Sequence, residues 1–296
     1  MKPSKILIIK TGFSETLCKE DSRESSLGDV VRTTVILNYF KERDIVYWLV
    51  DEKAAPLLEG NPSITKILTW PHPEVILQLQ KEKFDMVVNL EKTPGICALA
   101  DSIDAHRKCG FRFNEWEGIA DANYHTERVL AISQDGRKRN SANMYWQQHL
   151  ARVIDKRWNR QDRYIMAKPS NKVIHDIGLN YQVGSKWPEK SWDQWGTLDY
   201  KLVQMGYKVS VQEGTRDIRE YMNWINSCKI IITCDSLGMH LALAYRKYVI
   251  ALFGPSPSKE VYMYRQGDKI VAKDGKMSSI TVDKVLSKLK EPISEE

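Results

Sequence analysis

Ile230-Ile-Ile-Thr-Cys-Asp-Ser-Leu-Gly-Met-His240 is the stretch on which the reading of the fold turns. Its first half is a short, continuous apolar run, as expected for a strand buried on both faces of a parallel sheet. The run stops at Cys234-Asp235, and Ser236-Leu237-Gly238 opens a helix that reads through to Tyr245. A strand passing directly into a helix is half of a βαβ unit. The first N–H groups of such a helix, near Gly238, Met239 and His240, lack intrahelical partners and point over the strand end. The helix dipole favours an anion there, and Gly238 would let a phosphate approach the backbone closely. The competing role for Asp235 is that of a helix cap.

Outward from this stretch the same alternation recurs. Asp176–Asn180, Tyr207–Gln212, Lys229–Cys234 and Val249–Phe253 read as strands. Between and after them lie a helix opened by a Ser191/Gln194 capping box and stopped by Gly206, another over Asp217–Cys228, and a last one over Thr281–Leu289. Toward the N-terminus, Lys5–Ile9, Ile45–Val50 and Phe84–Asn89 read as strands. A helix follows Gly28-Asp29, and a short one spans Pro73–Lys81 with Pro in its first turn. The segment from Cys109 to Glu127 is irregular, and Ser141–Trp158 reads as a long helix. The chain is therefore expected to be α/β, with parallel sheets covered by helices on both faces. Residues 159–171 are polar and hold Pro169, which suits a linker between domains 1–165 and 166–296. Ligands of open α/β sheets bind at the carboxyl ends of the strands, so a cleft between the domains is the expected active site.

Composition narrows the class. A length of 296 residues fits two domains of roughly 150 each. Lys+Arg 44 against Asp+Glu 38 leaves 44 − 38 = +6. That is too small an excess for a nucleic-acid coat but compatible with an anionic small molecule. Hydrophobic content of 42% and charged content of 28% exclude global disorder. No apolar run approaches the roughly 18–20 residues of a membrane span, and Lys2 and Lys5 precede only a short apolar run, not a secretory core. The five cysteines are scattered and form no CxxC, which argues against a disulfide frame or a zinc knuckle. A soluble, cytoplasmic protein is expected.

Several familiar signals are missing: GxGxxG after the first strand, GxxxxGK[ST], GxSxG and any Asp-x-Asp pair. Three other segments stand at the right ends of strands. Lys186-Trp187-Pro188 offers a point charge for a diphosphate, or a solvated lysine. Gly254-Pro-Ser-Pro-Ser-Lys-Glu260 makes a stiff loop, or a plain turn. Gly28-Asp29-Val-Val-Arg32-Thr-Thr34 places Asp29 where a helix begins, either as a general base or as an N-cap.

Together, Gly28-Asp29, Lys186-Trp187-Pro188, Asp235-Ser-Leu-Gly-Met-His240 and Phe253-Gly-Pro-Ser256 resemble family 9 glycosyltransferases, the ADP-heptose heptosyltransferase family, in order and in domain position. The resemblance covers nearly the whole chain. It implies a GT-B fold of two Rossmann-like, doubly wound domains, the first binding the acceptor and the second the nucleotide-sugar. It also implies inverting, metal-independent transfer to a glycan or other hydroxyl acceptor, with no cofactor beyond the donor. ADP-heptose is a candidate donor, there is no nucleic-acid partner, and peripheral placement at the inner membrane face is an option. By the same resemblance Asp29 matches the catalytic base, Lys186 the lysine near the donor diphosphate, and Asp235, Ser236, Gly238, Met239 and His240 the donor segment. Glu213, after the strand ending at Gln212, stands for the acidic residue near the donor ribose. Arg32, on the acceptor side, occupies a position where lipopolysaccharide heptosyltransferases often carry His. Thr11–Leu27 is longer and more charged than the family's usual passage into Gly-Asp. Loops of that length are usually functional or disordered, and this one reads as an acceptor-side loop. Two other readings are a nucleotide-sugar epimerase of GT-B architecture and a non-catalytic nucleotide-sugar-binding protein.

Overall fold

The computed structural model describes residues 2–12, 26–123, 125–134, 143–184, 187–212 and 217–289. The chain divides into two units, Met1–Ala167 and Lys168–Glu296. The division falls inside the polar segment 159–171.

The first unit is built on a six-stranded sheet of β1 (Lys5–Ile9), β2 (Ile45–Asp51), β3 (Lys66–Trp70), β4 (Lys83–Asn89), β5 (Asp104–Asn114) and β6 (Ile119–Ala122), in the order β3-β2-β1-β4-β5-β6. β1 to β5 pair in parallel and β6 is antiparallel to β5. The helices are α1 (Leu27–Thr33), which tightens into a 3₁₀ turn over Thr34–Tyr39, α2 (Pro73–Lys81), α3 (Pro94–Ser102), α4 (Glu127–Gln134) and α5 (Trp146–Val153). β1 shows why the sheet needs both faces covered. Leu7 and Ile9 enter a cluster with Leu49, Leu79, Phe84, Ile96 and Leu99, while Ile6 and Ile8 point to the other face and are equally buried. Each such side chain contributes about 1.5–3 kcal/mol by leaving water.

Gly110 makes the sheet turn a corner. Its φ of +97° lies in the left-handed region, and a Cβ there would run into the Asn89 carbonyl. At this residue β5 leaves its pairing with β4 and takes up β6. No residue but glycine suits both demands.

The second unit carries β7 (His175–Asn180), β8 (Val209–Val211), β9 (Cys228–Cys234), β10 (Tyr248–Phe253) and β11 (Gly267–Val271), all parallel, in the order β11-β10-β9-β7-β8. Its helices are α6 (Trp195–Gln204), α7 (Ile218–Ser227), α8 (Leu237–Ala244) and α9 (Val282–Leu286). One core face gathers Ile177, Leu179, Leu198, Leu202, Ile232, Leu252 and Val285. Both units are thus doubly wound α/β folds of the expected class.

Two sequence-based expectations fail for identifiable reasons. The long helix over Ser141–Trp158 is, in the described residues, only α5. Asp155 adopts φ +57°, and the Asp155 and Lys156 N–H groups donate to the Arg152 and Ala151 carbonyls. That is a Schellman closure, here built on Asp in place of Gly. The helix expected from Ser191 starts instead at Trp195. Pro188–Lys190 form a 3₁₀ turn that ends on extended Ser191. Trp192 Nε1 and Gln194 Nε2 both donate to the Ile280 carbonyl, and the Ser191 N–H donates to the Pro188 carbonyl at 2.9 Å and not to Gln194, so no capping box forms. β3, β5, β6, β11, α3 and α4 have no counterpart in the sequence reading, and β5 and β6 occupy much of the stretch Cys109–Glu127 that reads as irregular. β11, Gly267-Asp-Lys-Ile-Val271, is short and half polar, a pattern that resembles a turn until β10 pairs with it.

Candidate functional site

Each sheet reverses its winding at one point, and ligands of open α/β sheets bind beyond the carboxyl ends of the two strands that meet there. In the second unit that point lies between β7 and β9, where Asn180, Asp235 and Ser236 emerge. Asp235 is bound by Lys190, whose Nζ donates to Oδ2 at 2.8 Å and approaches the Asp235 carbonyl at 3.4 Å. Both side chains are 18% exposed. Burial raises the Asp235 carboxyl, but Lys190 and His240 outweigh it, and the group stays below the usual carboxylate range. It is therefore ionised at neutral pH.

Ser236 is the N-cap of α8, yet its side chain does not cap. Its Oγ accepts from Asn180 Nδ2 at 3.0 Å and pairs with Thr233 Oγ1 at 3.1 Å. Asn180 also donates to Thr233 Oγ1 at 2.8 Å and accepts from the Tyr221 hydroxyl at 2.9 Å. A capping role for Asp235 is thereby set aside, since the cap position belongs to Ser236. Gly238 also has a packing reason. A Cβ there would overlap the Asn180 amide and the Tyr221 hydroxyl, which fill the space. Met239 is fully buried and serves the core, and His240 is 6% exposed beside Asp235. The Gly254–Glu260 loop follows β10, and Lys269 Nζ holds it by donating to the Ser258 and Val261 carbonyls. Lys186 and Glu213 lie outside the described residues.

Lys190, four residues beyond Lys186 in the same short segment, is a residue that sequence reasoning does not single out. The one available signal was Pro188, which favours the first position of a tight helical turn and so carries Lys190 around toward the strand end.

In the first unit the winding reverses between β1 and β4. There Lys10, Thr11 and Gly12 leave β1, and Leu90 and Glu91 leave β4. Glu91 Oε1 accepts from Thr11 Oγ1 at 2.9 Å and from the Gly12 N–H at 2.8 Å, with Lys10 Nζ at 3.4 Å. Lys10 and Glu91 side chains are each 1% exposed. Burial pushes the Glu91 carboxyl up against the pull of Lys10, and the nearby Asp29 charge adds to the rise.

Asp29 stands in the first turn of α1, whose N-cap is Ser26. It is not the cap. Its N–H donates to the Ser26 carbonyl at 3.1 Å, its carbonyl accepts from Thr33 Oγ1 at 2.7 Å, and its carboxylate is held by Arg32 at 2.7 Å. Arg32 lies over the Trp146 ring, 4.3 Å from its centroid. That face continues into His149, whose ring is 5.6 Å from Trp146. His149 in turn lines a cavity of about 610 Å³ with Arg128, Arg152, Lys156 and Arg157. Burial, then Arg128, Arg152 and Arg32, depress His149 to about 4, so the imidazole is neutral. The Thr11–Leu27 insertion lies mostly outside the described residues. Among the described residues no group of three or more His, Cys, Asp or Glu is arranged to hold a metal, and no helix is long and apolar enough to cross a membrane.

Residues 210–289, which contain α7, β9, α8 and β10, match the glycosyltransferase family 9 (heptosyltransferase) family. The chain is 22% identical over 288 residues to lipopolysaccharide heptosyltransferase 1 of Campylobacter coli, covering 80% of this chain and 83% of that protein. Among solved structures it is similar to E. coli heptosyltransferase WaaC with ADP, with a TM-score of 0.70 at 13% identity over 97% of this chain and 99% of the other. A family 9 glycosyltransferase from Veillonella parvula gives 0.69 at 18% identity, covering 98% and 97% of the two chains. E. coli ADP-heptose lipopolysaccharide heptosyltransferase II gives 0.63 at 16%, covering 96% and 97%.

Proposed function

We propose that this chain, a family 9 heptosyltransferase-like glycosyltransferase with the GT-B fold, moves a heptose from ADP-heptose to a hydroxyl of an acidic saccharide, with inversion and without a metal. The observation that carries the reading is the ionised Asp235, bound to Lys190 at the head of α8, inside the segment that matches the family. WaaC has been solved with ADP and with ADP-2-deoxy-2-fluoro heptose, which supports the same donor class here. A nucleotide-sugar donor fits a cytoplasmic site of action.

Asp29, oriented by Arg32, accepts the proton of the acceptor hydroxyl as its oxygen attacks the anomeric carbon. The bond from that carbon to the diphosphate oxygen breaks, and the developing charge is met by Lys190 and by the N–H groups of the first turn of α8. Metal independence rests on this cationic provision and on a sequence without Asp-x-Asp. The acidic acceptor rests on the cavity in which Arg128, Arg152, Lys156 and Arg157 outnumber Glu127 and Asp155, an excess that complements carboxylates or phosphates.

The test is incubation with ADP-heptose and deacylated lipopolysaccharide, read by mass spectrometry with and without EDTA. Heptose addition in both conditions is expected. Isomerised donor without transfer would favour an epimerase, and donor binding without either reaction would favour a binding protein. Transfer abolished by EDTA and restored by magnesium would overturn metal independence.

A further inference from the structure

Glu91 is more than half of a buried ion pair. Its Oε1 accepts the Gly12 N–H at 2.8 Å. The Gly12 carbonyl, on the next peptide unit, accepts the Ser26 N–H. The Ser26 carbonyl then accepts the Asp29 N–H at 3.1 Å. Three hydrogen bonds, joined through the backbone of Gly12 and Ser26, therefore link the carboxyl end of β4 to the end of β1 and the first turn of α1. Gly12 and Ser26, which flank segment 13–25, are hydrogen-bonded to each other, and this ties the start of α1 to the end of β1.

We propose that Glu91 is a positioning residue for Asp29, acting through the Gly12 and Ser26 backbone and not by contact with substrate. The inference rests on the reading of Asp29 as the base. Three features support it. Glu91 is 1% exposed, so its orientation is held by packing. Thr11 Oγ1 binds the same oxygen and fixes the approach of the loop. The Asp29 carboxylate is also held by Arg32, three residues on in α1 and packed over Trp146, so a shift of the Ser26 end would disturb the first turn in which that pair is set.

Two variants separate reach from charge. Glu91→Asp keeps the charge opposite Lys10 but is one methylene too short for Gly12. The pair Lys10→Met with Glu91→Gln removes both charges and keeps an oxygen at the right reach, a replacement that buried ion pairs often tolerate. Turnover of ADP-heptose and deacylated lipopolysaccharide should fall about 10–100-fold in Glu91→Asp, the scale of an ångström-level misplacement, with the donor KM unchanged. The double variant should recover most of that loss. Amide exchange at Ser26 and Asp29 should quicken in Glu91→Asp and return to normal in the double variant, a readout that needs no acceptor. Normal exchange in Glu91→Asp, or equal exchange in both variants, would overturn the proposal. Fast exchange in Glu91→Asp with full turnover in Asp29→Asn would leave the backbone path standing but end the base reading, and the catalytic role of Glu91 with it.

Discussion

Lys190 Nζ sits 2.8 Å from Asp235 Oδ2 and 3.4 Å from the Asp235 carbonyl, so one side chain ties the Pro188–Lys190 turn to the head of α8. Removing it leaves an ionised carboxylate facing an incoming diphosphate. Lys190→Met is therefore expected to raise the Kd for ADP about 10–100-fold, or roughly 1.4–2.8 kcal/mol. Asp235→Asn keeps the cation and should cost less. Calorimetric titration with ADP ranks the two, and wild-type affinity in both would remove the pair from the donor site.

Asp29→Asn tests the acceptor side. Ser26, not Asp29, is the N-cap of α1, so the substitution spares the cap. Asn can still accept a hydrogen bond from Arg32 but is not a base. kcat should fall about 10²–10⁴-fold, the usual share of general-base catalysis. ADP affinity should stay within two-fold of wild type (about 0.4 kcal/mol). Undiminished turnover would refute the assignment.

Gly238→Ala is expected to destabilise the second unit, because its Cβ enters space held by Asn180 and Tyr221. Overpacking of this kind costs about 1–3 kcal/mol. Adding Tyr221→Phe removes one of the two obstructing groups, the hydroxyl, and should restore part of the loss in a thermal melt. An Ala variant as stable as wild type would show that the Asn180–Tyr221 bond yields easily and that Gly238 serves another purpose.

The pH dependence of the first unit should carry the mark of His149. Its folded value, about 4, lies below the ordinary 6.5. As pH falls, the unfolded chain takes the proton first. The stability contributed by the neutral imidazole is complete above about 6.5 and is lost progressively down to about 4. Denaturant melts of wild type and His149→Gln should therefore show a stability difference that shrinks between pH 7.5 and pH 4.5. Glu91 titrates alike in both proteins and cancels. A difference independent of pH would mean that His149 is not held neutral in the fold.

The sequence by itself determined the class of fold and the segments that would matter. Continuous apolar runs such as Lys5–Ile9 and Val249–Phe253 can be satisfied only where both faces of a strand are covered. Helices between them then force parallel winding, and parallel winding puts Asp235 and the neighbourhood of Asp29 at strand carboxyl ends. What it could not determine is which side chain reaches which. Lys190 and Asp235 are 45 residues apart, Glu91 and Gly12 are 79 apart, and Gly238 meets Asn180 across the sheet. Such pairings depend on the order of strands and on tight turns, and neither leaves a local periodicity to read. The end of α5 failed for the same reason, because Asp155 takes a left-handed conformation that glycine usually signals. Local chemistry chose the elements, and the order of the strands in the two sheets chose the partners.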